Sequence, residues 1–168
     1  MRGFGNSIRA AAGVVALLIV VAPSVQAMAQ QNQPAKQTLK RPAAEKKAHR
    51  LVLQVNANDP ATMNLALNNA TNVAQYYRDR DEKVTIEIVT FGPGLHMLRD
   101  DTSPVKARIK TIKEANPAIS FQACGNTQEN MHKAENKEIP LIPEATVVKS
   151  GVVRVMELQE QGWTYVKP

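Results

Sequence analysis

The chain has 168 residues, with 21 Lys and Arg against 15 Asp and Glu for a formal charge of +6, and one cysteine. That length suits one domain around a single core, and a lone cysteine excludes an intrachain disulfide. The basic excess is modest and lies largely in one polar stretch, which argues against a nucleic-acid partner.

Arg2 and Arg9 flank a short positive segment, Ala10 to Val21 is uncharged and apolar, and Val25-Gln26-Ala27 and Ala27-Met28-Ala29 offer small residues at cleavage spacing. This pattern predicts a secretory signal peptide over residues 1–29, removed after Ala27 or Ala29. The apolar run falls short of the ~20 residues that span a bilayer, and Pro23 interrupts it, so no stable membrane insertion is expected. No cysteine follows the run, which argues against a lipid-modified N-terminus. The expectation is an exported soluble protein, periplasmic in a Gram-negative source. Losing Arg2 and Arg9, and no acid, takes the charge from +6 to +4. Residues 30–48 carry Lys36, Lys40, Arg41, Lys46 and Lys47 among Gln, Pro and Ala with almost no large apolar residue, and read as a disordered basic linker. Residues 49–168 remain for the folded domain.

Within that domain the pattern alternates between strand-like runs and helical spacing. Leu51 to Val55 is a short, nearly continuous apolar strand, as expected where both sheet faces are covered. Asp59-Pro60 opens a helix, aspartate as cap and proline at the first position, with Met63, Ala66, Leu67, Ala70, Val73, Ala74 and Tyr77 on its apolar stripe. Val84 to Thr90 is the second strand, and Phe91-Gly92-Pro93-Gly94-Leu95 after it reads as a tight loop. Ser103-Pro104 starts a helix with Val105, Ile109 and Ile112 on one face, ending before Pro117. Ala118 to Cys124 is the third strand, and Asn126 suits the cap of a helix reaching about Glu135. Ile139 to Pro143 is a stiff apolar connection, and Thr146 to Val148 a short strand. Ser150 caps a helix containing Val152, Val155, Met156 and Gln159 that Gly162 stops, and Trp163 to Val166 is the last strand.

Five strands alternating with four helical segments predict an α/β fold, a mostly parallel five-stranded sheet with helices on both faces. In such sheets ligands collect beyond the carboxyl ends of the strands. Three loops lie there: Asn56 to Asp59, Phe91 to Gly94, and Cys124 to Thr127. The candidate binding residues are accordingly Asn58, Gly92, Pro93, Gly94, Gly125, Asn126 and Thr127. Cys124 is the candidate for chemistry. A thiol facing a helix N-terminus meets unpaired N–H groups and a positive dipole end, which favour the reactive thiolate. The alternative is a packed small hydrophobe, the common fate of free cysteine. An exported thiol without an intrachain partner is inert, pairs with another molecule, or carries a transferable group such as sulfane sulfur.

The order Val89-Thr90-Phe91-Gly92-Pro93-Gly94-Leu95, Ala123-Cys124-Gly125-Asn126-Thr127, Ser150-Gly151-Val152 and Gly162-Trp163-Thr164-Tyr165-Val166-Lys167-Pro168 resembles the DsrE/DsrF-like family of sulfur-relay proteins across the whole of 49–168. The resemblance implies a three-layer α/β/α sandwich of the YchN-like type and homo-oligomers. It also implies a cysteine near the third strand that carries persulfide between a protein sulfur donor and acceptor, a role that falls on Cys124. It implies no cofactor, and a carrier or binding protein more than a turnover enzyme.

Other constellations are weaker. His96-Met97, Cys124 and Met131-His132 are suited to copper or zinc, but their spacing matches no metal motif. Asp59, Asp100, Asp101 and Glu114 form no paired carboxylate for hydrolysis. Gly92-Pro93-Gly94 lacks the third glycine of a dinucleotide fingerprint, with methionine at position 97. Two readings stand: an exported sulfur carrier acting through Cys124, and a non-catalytic oligomeric module binding a small ligand or copper.

Overall fold

The computed structural model describes residues 48–168. The expected signal peptide and the linker up to residue 47 lie outside the described residues.

The first strand, β1, is His49–Val55. Leu51, Leu53 and Val55 face one side of the sheet and Val52 the other, and all four are buried, which accounts for the continuous apolar run. Helix α1, Pro60–Arg78, begins as predicted. The Asp59 carboxylate accepts the N–H groups of Ala61 at 3.3 Å and Thr62 at 2.9 Å, with Pro60 at the first turn. Met63, Ala66, Leu67, Ala70 and Ala74 form its buried stripe.

Strand β2, Val84–Thr90, pairs in parallel with β1. The chain then turns at Gly92, whose φ of +53° lies in the left-handed region, into a 3-10 helix over Gly92–Leu98. A plain tight loop was expected here. Leu95, Met97 and Leu98 are buried, and their burial draws the segment into a helical turn against the sheet. Helix α2, Lys106–Ala115, starts later than Ser103-Pro104 suggested. Ser103 is spent in the preceding turn, its hydroxyl donating to the Met97 carbonyl at 2.6 Å and accepting the Val105 N–H at 3.3 Å.

Strand β3, Ile119–Cys124, and helix α3, Gly125–Glu135, follow without an intervening loop. After the predicted irregular connection come β4, Ala145–Val148, helix α4, Gly151–Glu160, and β5, Thr164–Val166. Ser150 precedes α4 as expected, but its side chain makes no capping hydrogen bond. Gly162, with φ of +82°, ends the turn beyond α4.

All five strands are parallel, in the order β4-β3-β2-β1-β5. The larger core joins Leu51, Leu53, Ile86, Ile88, Ile119 and Phe121 to α1, the 3-10 helix and α2, with Met131 of α3 packed against it. On the opposite face Val52 and Val89 meet Val155 and Leu158 of α4, with Phe91, Trp163 and Tyr165 packed around them. The result is the expected α/β sandwich, but its layers are unequal: among the described residues one helix covers the second face. Within α4 only Gly151, Val155 and Leu158 are buried, so Val152 and Met156, expected on the apolar stripe, are exposed instead. Glu87 is buried beneath α4 and is held by the Arg154 guanidinium through two hydrogen bonds of 2.6 and 3.0 Å. Among the described residues no helix is long and apolar enough to cross a membrane.

Candidate functional site

The alternation along β3 puts Phe121 and Ala123 on the larger-core face and Gln122 and Cys124 on the α4 face. Cys124 is therefore the last strand residue and the first neighbour of two helix N-termini. Its backbone is extended, with φ −71° and ψ 112°, and its sulfur accepts the Thr127 N–H at 3.4 Å. Cys124, and not Asn126, is the N-cap of α3. Gly125 is already helical, so the N–H three residues beyond the last extended residue belongs to Thr127. Asn126 sits one position too late; its side chain is exposed, and its N–H donates to the Lys149 carbonyl at 3.1 Å.

The second N-terminus is that of α4. The Gly151 N–H there favours the Cys124 thiolate. A side chain at Gly151 would be crowded: a Cβ would lie 2.9 Å from Phe91 Cδ1, 3.0 Å from Phe91 Cβ and 3.2 Å from Cys124 Cβ. A third element reaches the sulfur through Thr127. Its hydroxyl accepts the Gly92 N–H at 2.9 Å and favours the Cys124 thiolate, linking the turn after β2 to the thiol. Burial is the largest single influence on the thiol and disfavours its ionisation. The Thr127 hydroxyl and the N–H groups of Gly151, Thr127 and Asn126 together outweigh it and hold the thiol below its ordinary pKa. The residue is nevertheless only 4% exposed.

Of the residues singled out in the sequence, Gly92, Gly125, Asn126 and Thr127 gather around Cys124. Gly125 lies close against the end of β4. Its missing side chain makes room for β4, since a Cβ would stand 3.2 Å from Val147 Cγ1 and 3.2 Å from the Val148 carbonyl oxygen. Gly94 is a packing residue: a Cβ there would lie 2.2 Å from the Val55 carbonyl oxygen. Pro93 is exposed at the start of the 3-10 helix. Asn58 is exposed in the loop after β1 and shares no hydrogen bond with the thiol cluster. Gly151 and Phe91 complete the surround and were not among the candidates. A glycine directly after Ser150 at a helix start is a visible signal, but its meaning depends on α4 returning across β3.

The histidine metal candidates are engaged elsewhere, as are two cations of α2. Lys106 pairs with Asp100 at 2.9 Å, Arg108 hydrogen-bonds Asn64 and Asn68 of α1, and His96 bonds the Thr102 hydroxyl at 2.8 Å. His132 meets the Lys137 carbonyl at 2.8 Å. Among the described residues no three His, Cys, Asp or Glu side chains converge as a metal site. Asp101 and Glu135 do converge, on Arg99, which is 1% exposed and bonds both carboxylates in bidentate fashion at 2.5–2.9 Å. That pairing holds Glu135 at about 2 and Asp101 lower still, so both stay ionised and neither suits proton transfer.

No family model and no curated protein matches the chain. Among solved structures it is similar to MTH1491 from Methanobacterium thermoautotrophicum, described as a protein of unknown function. The two share 27% identity with a TM-score of 0.60, over 71% of this chain and 99% of that one. The likeness supports the α/β fold.

Chemically, the arrangement suits a sulfur nucleophile that must be an anion. The Thr127 N–H bonds the sulfur, the Thr127 hydroxyl and the Gly151 N–H add to the stabilisation of its anion, and among the described residues no carboxylate or imidazole hydrogen-bonds it, so the site favours attack by a standing thiolate over attack assisted by proton removal.

Proposed function

We propose that Cys124 is a sulfur carrier, the role implied by the resemblance to the DsrE/DsrF-like family. The observation that carries this reading is the place of the sulfur at the N-terminus of α3, where it accepts the Thr127 N–H at 3.4 Å and where the Thr127 hydroxyl and the Gly151 N–H further favour its anion. The thiolate attacks the outer sulfur of a donor persulfide or polysulfide. A Cys124 S–S bond forms, the donor S–S bond breaks, and the donor leaves as a thiolate. An acceptor thiolate, on a protein partner, then attacks the outer sulfur and releases Cys124 as thiolate, so no external oxidant or reductant and no cofactor is consumed. The donors that stabilise the Cys124 thiolate also make it a good leaving group in this second step. In this reading the carrier is exported by its N-terminal segment and works in the periplasm.

The test is intact mass after exposure of the purified protein to polysulfide. One added sulfur per chain, removed by dithiothreitol and missing from Cys124→Ala, is the expected result. Absence of the adduct in the native protein, with its appearance only after denaturation, sinks the proposal. The burial of Cys124 favours one competing reading, a packed thiol that only caps α3, and that second outcome would establish it.

A further inference from the structure

The peptide joining Phe91 to Gly92 is held on both of its sides. Its carbonyl accepts the Gly94 N–H at 3.2 Å, and its N–H, that of Gly92, donates to the Thr127 hydroxyl oxygen at 2.9 Å. One residue earlier, the Phe91 N–H donates to the Val55 carbonyl at 3.2 Å, which anchors the turn to the end of β1. Gly92 has a φ of +53°, yet a Cβ there would meet no atom within 4 Å among the described residues. Glycine is required at this position by backbone conformation and not by space, the reverse of Gly94.

That conformation bears on Thr127. In helices threonine divides between two side-chain rotamers, one of which returns the hydroxyl to a carbonyl of the preceding turn. Accepting the Gly92 N–H holds the Thr127 oxygen in one orientation and leaves its single proton to face another acceptor. The same residue gives its N–H to the Cys124 sulfur at 3.4 Å, and its hydroxyl favours the sulfur anion. Leu95, Met97 and Leu98 are buried and fix the chain beyond the turn. A changed φ at Gly92 would therefore swing the preceding peptide and carry its N–H off Thr127. We propose that Gly92 is a positioning residue for Cys124: the left-handed turn after β2 keeps Thr127 in the rotamer that serves the sulfur, and the conformation of that turn sets how fast the thiol reacts. On the reading of Cys124 as a reactive thiolate, on which this role rests, control of the thiol lies partly on the β2 turn and not only on the helix that the sulfur caps.

Iodoacetamide alkylation of Cys124 followed against pH in the purified full chain, with folding checked by far-UV circular dichroism, tests this role. Gly92→Asn tolerates the left-handed region and should stay close to wild type. Gly92→Val does not, and should move the midpoint upward and slow the reaction at neutral pH by about three- to tenfold, the upper figure being the whole effect of Thr127→Val. Gly92→Ala should fall between the two and is read in place of Gly92→Val if the latter does not fold. In a Thr127→Val background the same substitutions should change nothing further. A Gly92→Val or Gly92→Ala profile superimposable on wild type, an effect of Gly92→Asn as large as theirs, or an effect undiminished in the Thr127→Val background each overturns the role of Gly92 alone. A wild-type thiol that reacts only after denaturation overturns the reading of Cys124 with it.

Discussion

The sulfur of Cys124 occupies the position that a serine or aspartate oxygen ordinarily takes at a helix N-terminus. Because a thiolate is a far better acceptor than a thiol, the cap and the reactivity depend on the same ionisation. The rate of Cys124 alkylation by iodoacetamide should therefore rise with pH around a midpoint below that of an ordinary thiol. Thr127→Val should move that midpoint upward and slow the reaction about tenfold at neutral pH, the order expected on losing one hydrogen bond to a charged group. A Thr127→Val profile superimposable on wild type would show that the hydroxyl does not act on the sulfur. Close contacts give a second residue-level prediction. Gly94→Ala should cost at least about 3 kcal/mol in urea unfolding, because the neighbouring Val55 carbonyl is backbone and cannot move aside. Gly151→Ala should cost less, about 1–3 kcal/mol, since its close neighbours are the side chains of Phe91 and Cys124, which can give by a few tenths of an ångström where a backbone carbonyl cannot. The sequence marks Cys124 as a strand-end thiol, but not as a cap. Asparagine two residues later has the stronger intrinsic preference, and only the backbone shows that the helix has already begun.

Between elements, the buried guanidinium of Arg99 ties the end of the 3-10 helix to the last turn of α3 through Asp101 and Glu135. Both carboxylates have folded pKa values depressed below the unfolded ones. Their contribution is present in full above the unfolded values near 4 and is lost as pH falls from there toward about 2. Thermal unfolding followed over that window should show a fall in Tm that Arg99→Met largely removes. At neutral pH the same substitution should destabilise the fold, but by less than breaking a fully buried pair, because both carboxylates reach solvent and keep Lys137 as a partner. Element boundaries were legible where a residue has a geometric reason to be there: Asp59 and Pro60 before α1, Gly162 after α4. They were missed where a polar residue was already engaged, as Ser103 is with the Met97 carbonyl and the Val105 N–H. The Arg99 cluster had no local signal, since Glu135 lies 36 residues beyond Arg99.

Across the whole molecule, the parallel sheet follows from strict alternation of strands and helices, but the distribution of helices between faces does not. Apolar stripes of similar strength in α1, α2 and α4 do not say which side each covers; crossover geometry decides that. Hence the exposure of Val152 and Met156 could not be read from their spacing. The central strands β1, β2 and β3 are flanked on both edges, whereas β4 and β5 are edge strands of four and three residues. Amide hydrogen exchange should be slowest in Leu53, Ile88 and Phe121 and fastest, among strand residues, in β4 and β5. Equal protection across all five strands would mean that the edges are covered. Helix α3 has a distinctive place in this hierarchy. None of its side chains is fully buried, so its first turn leans on the sulfur that caps it. Whatever alters that sulfur, by charge, by bulk or by an added atom, should register in the exchange rates of the α3 amides, giving the protein a built-in gauge of the state of its only thiol.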